Sequence, residues 1–423
     1  MPANASFAHG VHPPDCKEDT RALPIRQFPF APVLTVPLSQ HLGRPAIACV
    51  REGQEVTRGQ RIGEADGRMS VAMHAPASGT VRRIGLVPSS KGTMVPGVFL
   101  EPWPASTQEL CQGTPCPVDA PREQILDAIQ QAGVVGLGGA AFPTHVKLAI
   151  GPEHPVDTLI LNGAECEPYL TTDHRVMLEQ DQDLFMGVRY LLRTTGAERA
   201  IIGIEANKQD AAEHLRARVP QDMPLTVEVM PVKYPQGAEK MLITALLGRE
   251  VPRGGLPFHV GCVVVNVATA AEIGRLLPIG GGIQERVITI GGPAVRDKGN
   301  YRIPIGTPLR FLLETVGVDE ALTSVFLGGP MMGRAVADLD ISVTKGTSGV
   351  IAFTERETGP VRQRAVHPCI RCGYCLDACP IFLNPSELGL LAKAGLYERM
   401  AQEQALMDCF ECGSCSFVCP SHI

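Results

Sequence analysis

The chain has 423 residues, with 38 lysines and arginines against 44 aspartates and glutamates, for a formal charge of −6. That length suggests about three domains, and a mildly acidic chain with 5% aromatic residues offers no basic face to nucleic acid. No stretch approaches the ~18 consecutive apolar residues of a membrane span, and the first thirty residues lack the basic-then-apolar order of a secretory leader.

Residues 1–110 alternate short β-type runs, such as Ala46–Val50, with turns such as Arg51-Glu52-Gly53 and Ala65-Asp66-Gly67. A small sandwich or barrel is expected. Residues 65–81 resemble the hairpin of biotinyl and lipoyl carrier domains, but Arg68 stands where such a domain carries its acylated lysine. A guanidinium is not acylated as an amine is, so a structural use of the fold is expected. Residues 106–121 read as a linker.

From 122 to 280 the pattern is α/β. Apolar strands at Leu159–Leu161, Ala200–Ile204 and Cys262–Val265 alternate with helical spacing at Arg122–Ala132, Leu184–Arg193 and Ala211–Arg218. Residues 285–355 return to β-type runs around a short helix at Arg310–Val316 and read as a separate β-grasp-like domain. The region 362–423 is different again. Asn384, Pro385 and Glu387 fit the N-cap, N1 and N3 positions of a helix.

Eight of the 14 cysteines fall in that last region. Cys369, Cys372, Cys375 and Cys379 follow C-x2-C-x2-C-x3-C-P, and Cys409, Cys412, Cys415 and Cys419 repeat it. Zinc knuckles use paired C-x2-C motifs and have no need of a third and fourth cysteine in one run. Two full repeats point instead to two [4Fe–4S] clusters. In two-cluster ferredoxins the fourth cysteine of each run ligates the other cluster. By that rule Cys419 joins Cys369, Cys372 and Cys375, while Cys379 joins Cys409, Cys412 and Cys415. The sequence between the runs looks helical, so a helical ferredoxin is expected. The other cysteines, among them Cys166, show no ligand spacing.

Gly136, Gly138 and Gly139 open a loop that continues through Phe142 to Lys147. Closely spaced glycines let backbone N–H groups approach a phosphate, and a lysine adds charge. A structural turn is the alternative, since the spacing is not that of a dinucleotide fingerprint. Two acidic segments, Asn162-x-x-Glu165-x-Glu167 and Gly237-x-Glu239, stand at a strand end and a helix start. Taken singly, such carboxylates read as solvated or capping groups.

Taken together with Val265-Asn266-Val267-x-Thr269, these segments resemble, in order and spacing, the NADH- and FMN-binding flavoprotein subunit of respiratory complex I. The whole chain, including Gly10-Val11-His12-Pro13-Pro14 and the doubled cysteine motif, is similar to the RnfC family, the C subunits of Rnf (Rsx) electron transport complexes. The resemblance implies a multidomain α/β protein. Its parts are a carrier-like β sandwich (1–110), an FMN/NADH-binding domain (122–280), a β-grasp-like (SLBB) domain (285–355) and a helical two-cluster ferredoxin domain (362–423). It implies non-covalent FMN contacted by Gly136, Gly138, Gly139, Lys147, Asn162, Glu165, Gly237 and Asn266. It implies NADH contacts at Phe142, Glu167, Glu239 and Phe258, with no side chain assigned a catalytic role. Ala141, Ala164 and Ala238 depart from the complex I pattern, and the family usually continues beyond the point where this chain stops, at Ile423.

The resemblance further implies a peripheral subunit on the cytoplasmic face of the cell membrane. Its partners would be the membrane subunits and the ferredoxin-like RnfB protein of the complex, with ferredoxin or flavodoxin reached indirectly, and the complex would be coupled to Na+ or H+ transport. One rival is a soluble flavin/iron–sulfur reductase, such as the cobalamin reductase of propanediol utilisation. Another is an electron relay whose glycine loop no longer binds a nucleotide.

Overall fold

The structure, a computed structural model, describes residues 6–358 and 365–423; the expected start of the last domain, at 362, lies outside them. β1 (Ile25–Gln27) does not join the sandwich that follows it. It pairs in parallel with residues 300–302, far along the chain. The strands after it are β2 (Leu34–Pro37), β3 (Ile47–Ala48), β4 (Glu55–Val56), β5 (Arg61–Glu64), β6 (Met73–His74), β7 (Gly79–Pro88) and β8 (Met94–Pro102). They form two sheets, ordered β2-β8-β7-β4 and β3-β5-β6, around buried Leu34, Val36, Ile62, Val81, Val98 and Leu100. The carrier-like tip between β5 and β6 is docked, not presented. Gln130 Nε2 donates to Gly67 O and Ser70 O, both at 2.9 Å, and His145 Nε2 lies 2.8 Å from Arg68 O.

The α/β part follows as α1 (Arg122–Gln131), α2 (Thr144–Leu148), β9 (Thr158–Gly163), α3 (Thr172–Glu179), α4 (Asp181–Thr195), β10 (Arg199–Glu205), α5 (Gln209–Arg218), β11 (Leu225–Met230), α6 (Glu239–Leu247), β12 (Cys262–Asn266) and α7 (Val267–Leu276). Its sheet is ordered β11-β10-β9-β12, and every neighbouring pair is parallel. The near-continuous apolar runs of β9, β10 and β12 are what a parallel sheet buried on both faces requires. Helices α4 and α7 cross closely because Gly187 meets the other helix without a side chain; a Cβ there would stand 1.8 Å from Ala270 O.

Next come β13 (Glu285–Gly291), β14 (Gly299–Pro304), α8 (Leu309–Val316), β15 (Leu322–Leu327), β16 (Arg334–Val336), β17 (Gly349–Thr354) and α9 (Glu355–Thr358). With β1 they make a six-stranded sheet ordered β1-β14-β13-β17-β15-β16, packed on α8 through Ile288, Ile290, Leu312 and Val350. The last region is helical: α10 (Tyr374–Ala378), α11 (Pro385–Lys393), α12 (Tyr397–Gln402) and α13 (Ser414–Phe417). Asn384 Oδ1 accepts from Glu387 N at 3.1 Å, so the expected N-cap forms.

The N-terminal segment ties these parts together. Gly10 N–H donates to Ala378 O at 3.2 Å, and Val11 exchanges both backbone bonds with Tyr234. Gly10 sits at φ +86°, and a Cβ there would lie 2.7 Å from Tyr234 O, so this crossing requires glycine. Further on, the buried Lys17 ammonium donates to the carbonyls of Glu165, Glu167 and Leu170.

Candidate functional site

In the parallel sheet the chain runs outward from β9 to β10 and β11, then crosses back to β12 on the other side of β9. Such a reversal opens a crevice at the carboxyl ends of the two strands. There the register sets Asn162 against Asn266. Asn266 caps α7, its Oδ1 accepting from Ala268 N at 2.9 Å, and its Nδ2 donates to Asp173 Oδ2 at 2.7 Å. Asn162 Nδ2 donates to Gly237 O at 2.8 Å. Each amide is held in place by the groups it binds.

The glycine loop lies over this pair. Gly136 N donates to Phe142 O at 2.8 Å, closing the loop on itself. Thr269 Oγ1 accepts from Leu137 N at 2.9 Å, and buried Arg286 Nη2 donates to Leu137 O at 2.8 Å. This staple presses the backbone of Gly138 against Asn266, leaving a Cβ only 3.4 Å of clearance.

A cleft of about 850 Å³ opens here, in the usual range for small-molecule sites. All four parts of the chain line it. The sandwich supplies the stretch around Gln40 and the β7–β8 tip at Ser89–Lys91. The α/β part supplies Leu137–Ala141, the strand ends and the start of α6. The mixed sheet supplies Gly328, Gly329 and Arg334. The cysteine region supplies Met407–Phe410, so that Cys409 itself is a wall residue.

Of the expected cofactor residues, Gly138, Gly139, Asn162, Glu165, Glu167, Gly237, Glu239 and Asn266 line the cleft. Gly136 and Phe142 close the loop behind its face, and Lys147 reaches the site through an ion pair with Glu239. Glu165 turns away to accept from Asp173 N and His174 N, where it caps α3. Glu167 accepts from Met331 N at 3.0 Å and Met332 N at 2.7 Å; burial pushes its carboxyl above the ordinary range.

Phe258 is not brought to the cleft. It precedes β12, and in a parallel sheet the strand starts lie at the opposite edge from the strand ends, here roughly 15 Å away at ~3.3 Å per residue. Its ring packs instead on His154, with centroids 4.8 Å apart, and on His259. Residues that sequence reasoning passed over are Asp173, Arg286 and Lys17. Asp173 lines the cleft, and burial followed by the Glu165 charge raises its carboxyl to about 7. Its only local signal, an acid in the first turn of a helix, is indistinguishable from an ordinary dipole partner. Cys166 accepts from Gly237 N at 3.3 Å, and burial pushes its thiol up to about 12, which leaves it unreactive.

Seven of the eight tail thiols sort into two groups by the neighbouring thiols whose charge each one feels. Burial raises the Cys379 thiol, and its thiol neighbours are Cys412 and Cys409, of the other run. Cys415, also raised by burial, has Cys412, Cys409 and Cys379 around it. Cys375 keeps company with Cys372 and Cys369. Among the described residues no three metal-ligating side chains converge on one point; in a [4Fe–4S] cluster each thiolate binds a different iron, so none need do so. Backbone N–H groups point at the sulfurs, Leu383 N at Cys379 Sγ (3.3 Å) and Glu411 N at Cys409 Sγ (3.4 Å). Donor set, grouping and N–H···S bonds all fit an iron–sulfur cluster. The cleft fits FMN in the same sense, with two locked amides and a glycine loop at a strand-end crevice.

Three segments of the chain match known protein families. The RnfC barrel sandwich hybrid domain matches residues 5–103, the Nuo51 FMN-binding domain residues 129–275, and the 4Fe-4S dicluster domain residues 365–423. Crystal structures of an NAD+-reducing [NiFe]-hydrogenase in air-oxidised and H2-reduced states share the fold. Their TM-scores are 0.52 and 0.53 at 22% and 23% identity, over 71% of this chain and 61% of theirs. The C subunit of the proton-translocating ferredoxin:NAD(+) oxidoreductase complex of Clostridium ljungdahlii is 41% identical, over 95% of this chain and 88% of its own. Its counterpart in the Na(+)-translocating complex of Acetobacterium woodii is 40% identical, over 95% and 91%. The C subunit of an ion-translocating oxidoreductase complex of Pseudomonas aeruginosa is 39% identical, over 95% of this chain and 52% of its own length. Likeness of that extent, running through the sandwich, the cleft and both cysteine runs alike, makes this chain a member of the RnfC family, the C subunits of Rnf ion-translocating ferredoxin:NAD(+) oxidoreductase complexes.

Proposed function

We propose that this chain is the NAD(H)-facing redox subunit of an Rnf complex, passing electrons between NAD(H) and two [4Fe–4S] clusters by way of non-covalently bound FMN. The observation that carries the reading is the presence of Cys409 in the wall of the glycine-loop cleft. A flavin, when bound, exchanges electrons in pairs with a nicotinamide and singly with iron–sulfur centres. The chain's own residues supply position: Gly136–Lys147 for the FMN phosphate, Asn162, Gly237 and Asn266 for its polar edge, Glu167 and Glu239 for the dinucleotide. The set containing Cys409, Cys412, Cys415 and Cys379 stands next to the cleft and is the first to exchange electrons with it; the Cys369 set comes second.

We place the chain as a peripheral subunit at the cytoplasmic face, by its kinship with the C subunits of ion-translocating complexes; no helix among the described residues is long and apolar enough to cross a membrane. Around the Cys369 run, Ile370, Tyr374, Phe382 and Tyr397 are each more than half exposed. Large exposed apolar side chains suit burial against a protein partner, and we assign those of the cysteine region to contact with the membrane subunits or the ferredoxin-like RnfB protein. Ferredoxin or flavodoxin is then reached through those partners, and Na+ or H+ passage belongs to them.

The test is a sequence of reductions on anaerobically reconstituted protein. NADH should bleach the flavin and then the clusters, and acid precipitation should release the flavin into the supernatant. Flavin-free protein should resist NADH while dithionite still reduces its clusters. Cluster reduction by NADH without flavin would overturn the path.

A further inference from the structure

The charges around the cleft are matched in one sign only. Each of its carboxylates is engaged by the protein. Glu165 and Glu167 accept backbone N–H groups, Asp173 accepts from Asn266, Glu239 pairs with Lys147, and Asp408 pairs with Arg253 at 2.8 Å. Three cations also line the cleft, Lys91, Lys240 and Arg334. Among the described residues none of the three makes a side-chain hydrogen bond or ion pair, and each comes from a different part of the fold.

All three stand at the ends of elements that border the cleft. Lys91 sits at the β7–β8 tip, where Ser89 and Thr93 clasp one another (Oγ to Oγ1, 3.1 Å) and Lys91 N donates to Ser89 Oγ at 3.3 Å. Arg334 opens β16 immediately after the turn whose Met331 and Met332 amides hold Glu167. Lys240 occupies the first turn of α6, where the helix dipole disfavours a cation unless an anion lies nearby. A concave site that has used its own carboxylates and keeps three cations is built for an anion of more than one charge. The glycine loop already provides for one phosphate.

We propose that Lys91 and Arg334, with Lys240, form the grip for the diphosphate of the nicotinamide dinucleotide. The inference rests on the function proposed above and deepens it. Lys91 and Arg334 lie outside the segment that matches the FMN-binding domain, residues 129–275. The sandwich and the mixed sheet thereby become parts of the substrate site, and a bound dinucleotide bridges three domains.

The experiment uses the holoprotein, with Lys91→Ala, Arg334→Ala and the double variant. Both side chains are exposed, so their removal leaves the packing intact. FMN content and dithionite-reducible cluster content serve as internal controls. Flavin bleaching at graded NADH concentrations should show each single variant weakening NADH binding about five- to tenfold, and the double variant more, as expected for loss of charge-assisted contacts. The limiting bleaching rate should stay within about twofold, since the chemistry is untouched. Arg334→Lys should recover part of the loss, and the wild-type affinity should fall with added salt more steeply than that of the double variant. Unchanged NADH affinity in the double variant would overturn the grip, and so would loss of FMN with NADH affinity intact after refilling. Failure of the wild-type protein to bleach with NADH would instead overturn the parent reading.

Discussion

Asp173→Asn isolates one buried charge at the switch point. The Asp173 carboxyl is raised from 3.8 to about 7, by burial first and then by the Glu165 carboxylate, with Asn266 donating to it and Arg286 pulling the other way. A folded value above the unfolded one means that its contribution to stability is complete below about pH 4 and is lost as pH rises through about 7. The distance between those two values, at about 1.36 kcal/mol per tenfold change in proton affinity, sets a ceiling of ~4 kcal/mol, and sharing with Glu165 brings the expected effect to about 2–4 kcal/mol. The amide of the variant keeps an oxygen for Asn266 Nδ2 to bind but carries no charge at any pH. In flavin-free protein with its clusters in place, urea unfolding should find the variant more stable than wild type by about 2–4 kcal/mol near pH 8. The two should nearly coincide at pH ~3.5, below the unfolded value. FMN, an anion in the same cleft, should widen the gap by pushing the wild-type carboxyl higher. A difference that does not vary with pH, or a variant weakened at high pH, would refute the assignment of the charge.

Two further outcomes follow from the same geometry. Cys379→Ser should disturb the cluster held by Cys409, Cys412 and Cys415 and slow electron passage out of the flavin, while the spectrum of the Cys369 cluster persists; loss of the Cys369 cluster alone would mean the fourth ligands are not exchanged. Lys17→Met leaves the carbonyls of Glu165, Glu167 and Leu170 without their donor, at about 1–3 kcal/mol for each buried acceptor left unpaired. Hydrogen exchange should quicken across residues 163–170 and FMN should bind more weakly, whereas unchanged protection there would show that the lysine merely fills space.

Some of this protein could be read in one dimension because the determining contacts are local. Two cysteine runs carry their spacing, and hence their clusters, within eleven residues each. Asn384-Pro385-x-Glu387 carries its own helix start, and the apolar runs of β9, β10 and β12 announce strands buried on both faces. Arg68, in place of the carrier lysine, points to a structural use of the sandwich from its side chain alone. The glycine loop and the acidic strand ends were visible as segments, though their meaning depended on the resemblance to complex I.

Tertiary structure decided the rest, because the deciding contacts join residues that are remote in sequence. β1 leaves its neighbours to pair with residues 300–302, since hydrogen bonding at a sheet edge takes no account of chain distance. Glu165 lines the cleft but commits its carboxylate to the start of α3, and Asp173, which no local pattern singled out, joins it there. Phe258 fell at the wrong edge of the sheet because strand direction, not sequence order, sets which loops meet. Cys379 comes within electrostatic reach of Cys412, and Cys409 lines the cleft, where Val11, Tyr234, Ala378 and Cys412 pack together. A parallel sheet gathers its strand ends at one edge whatever lies between them, which is why the site draws on four regions that no local pattern connects.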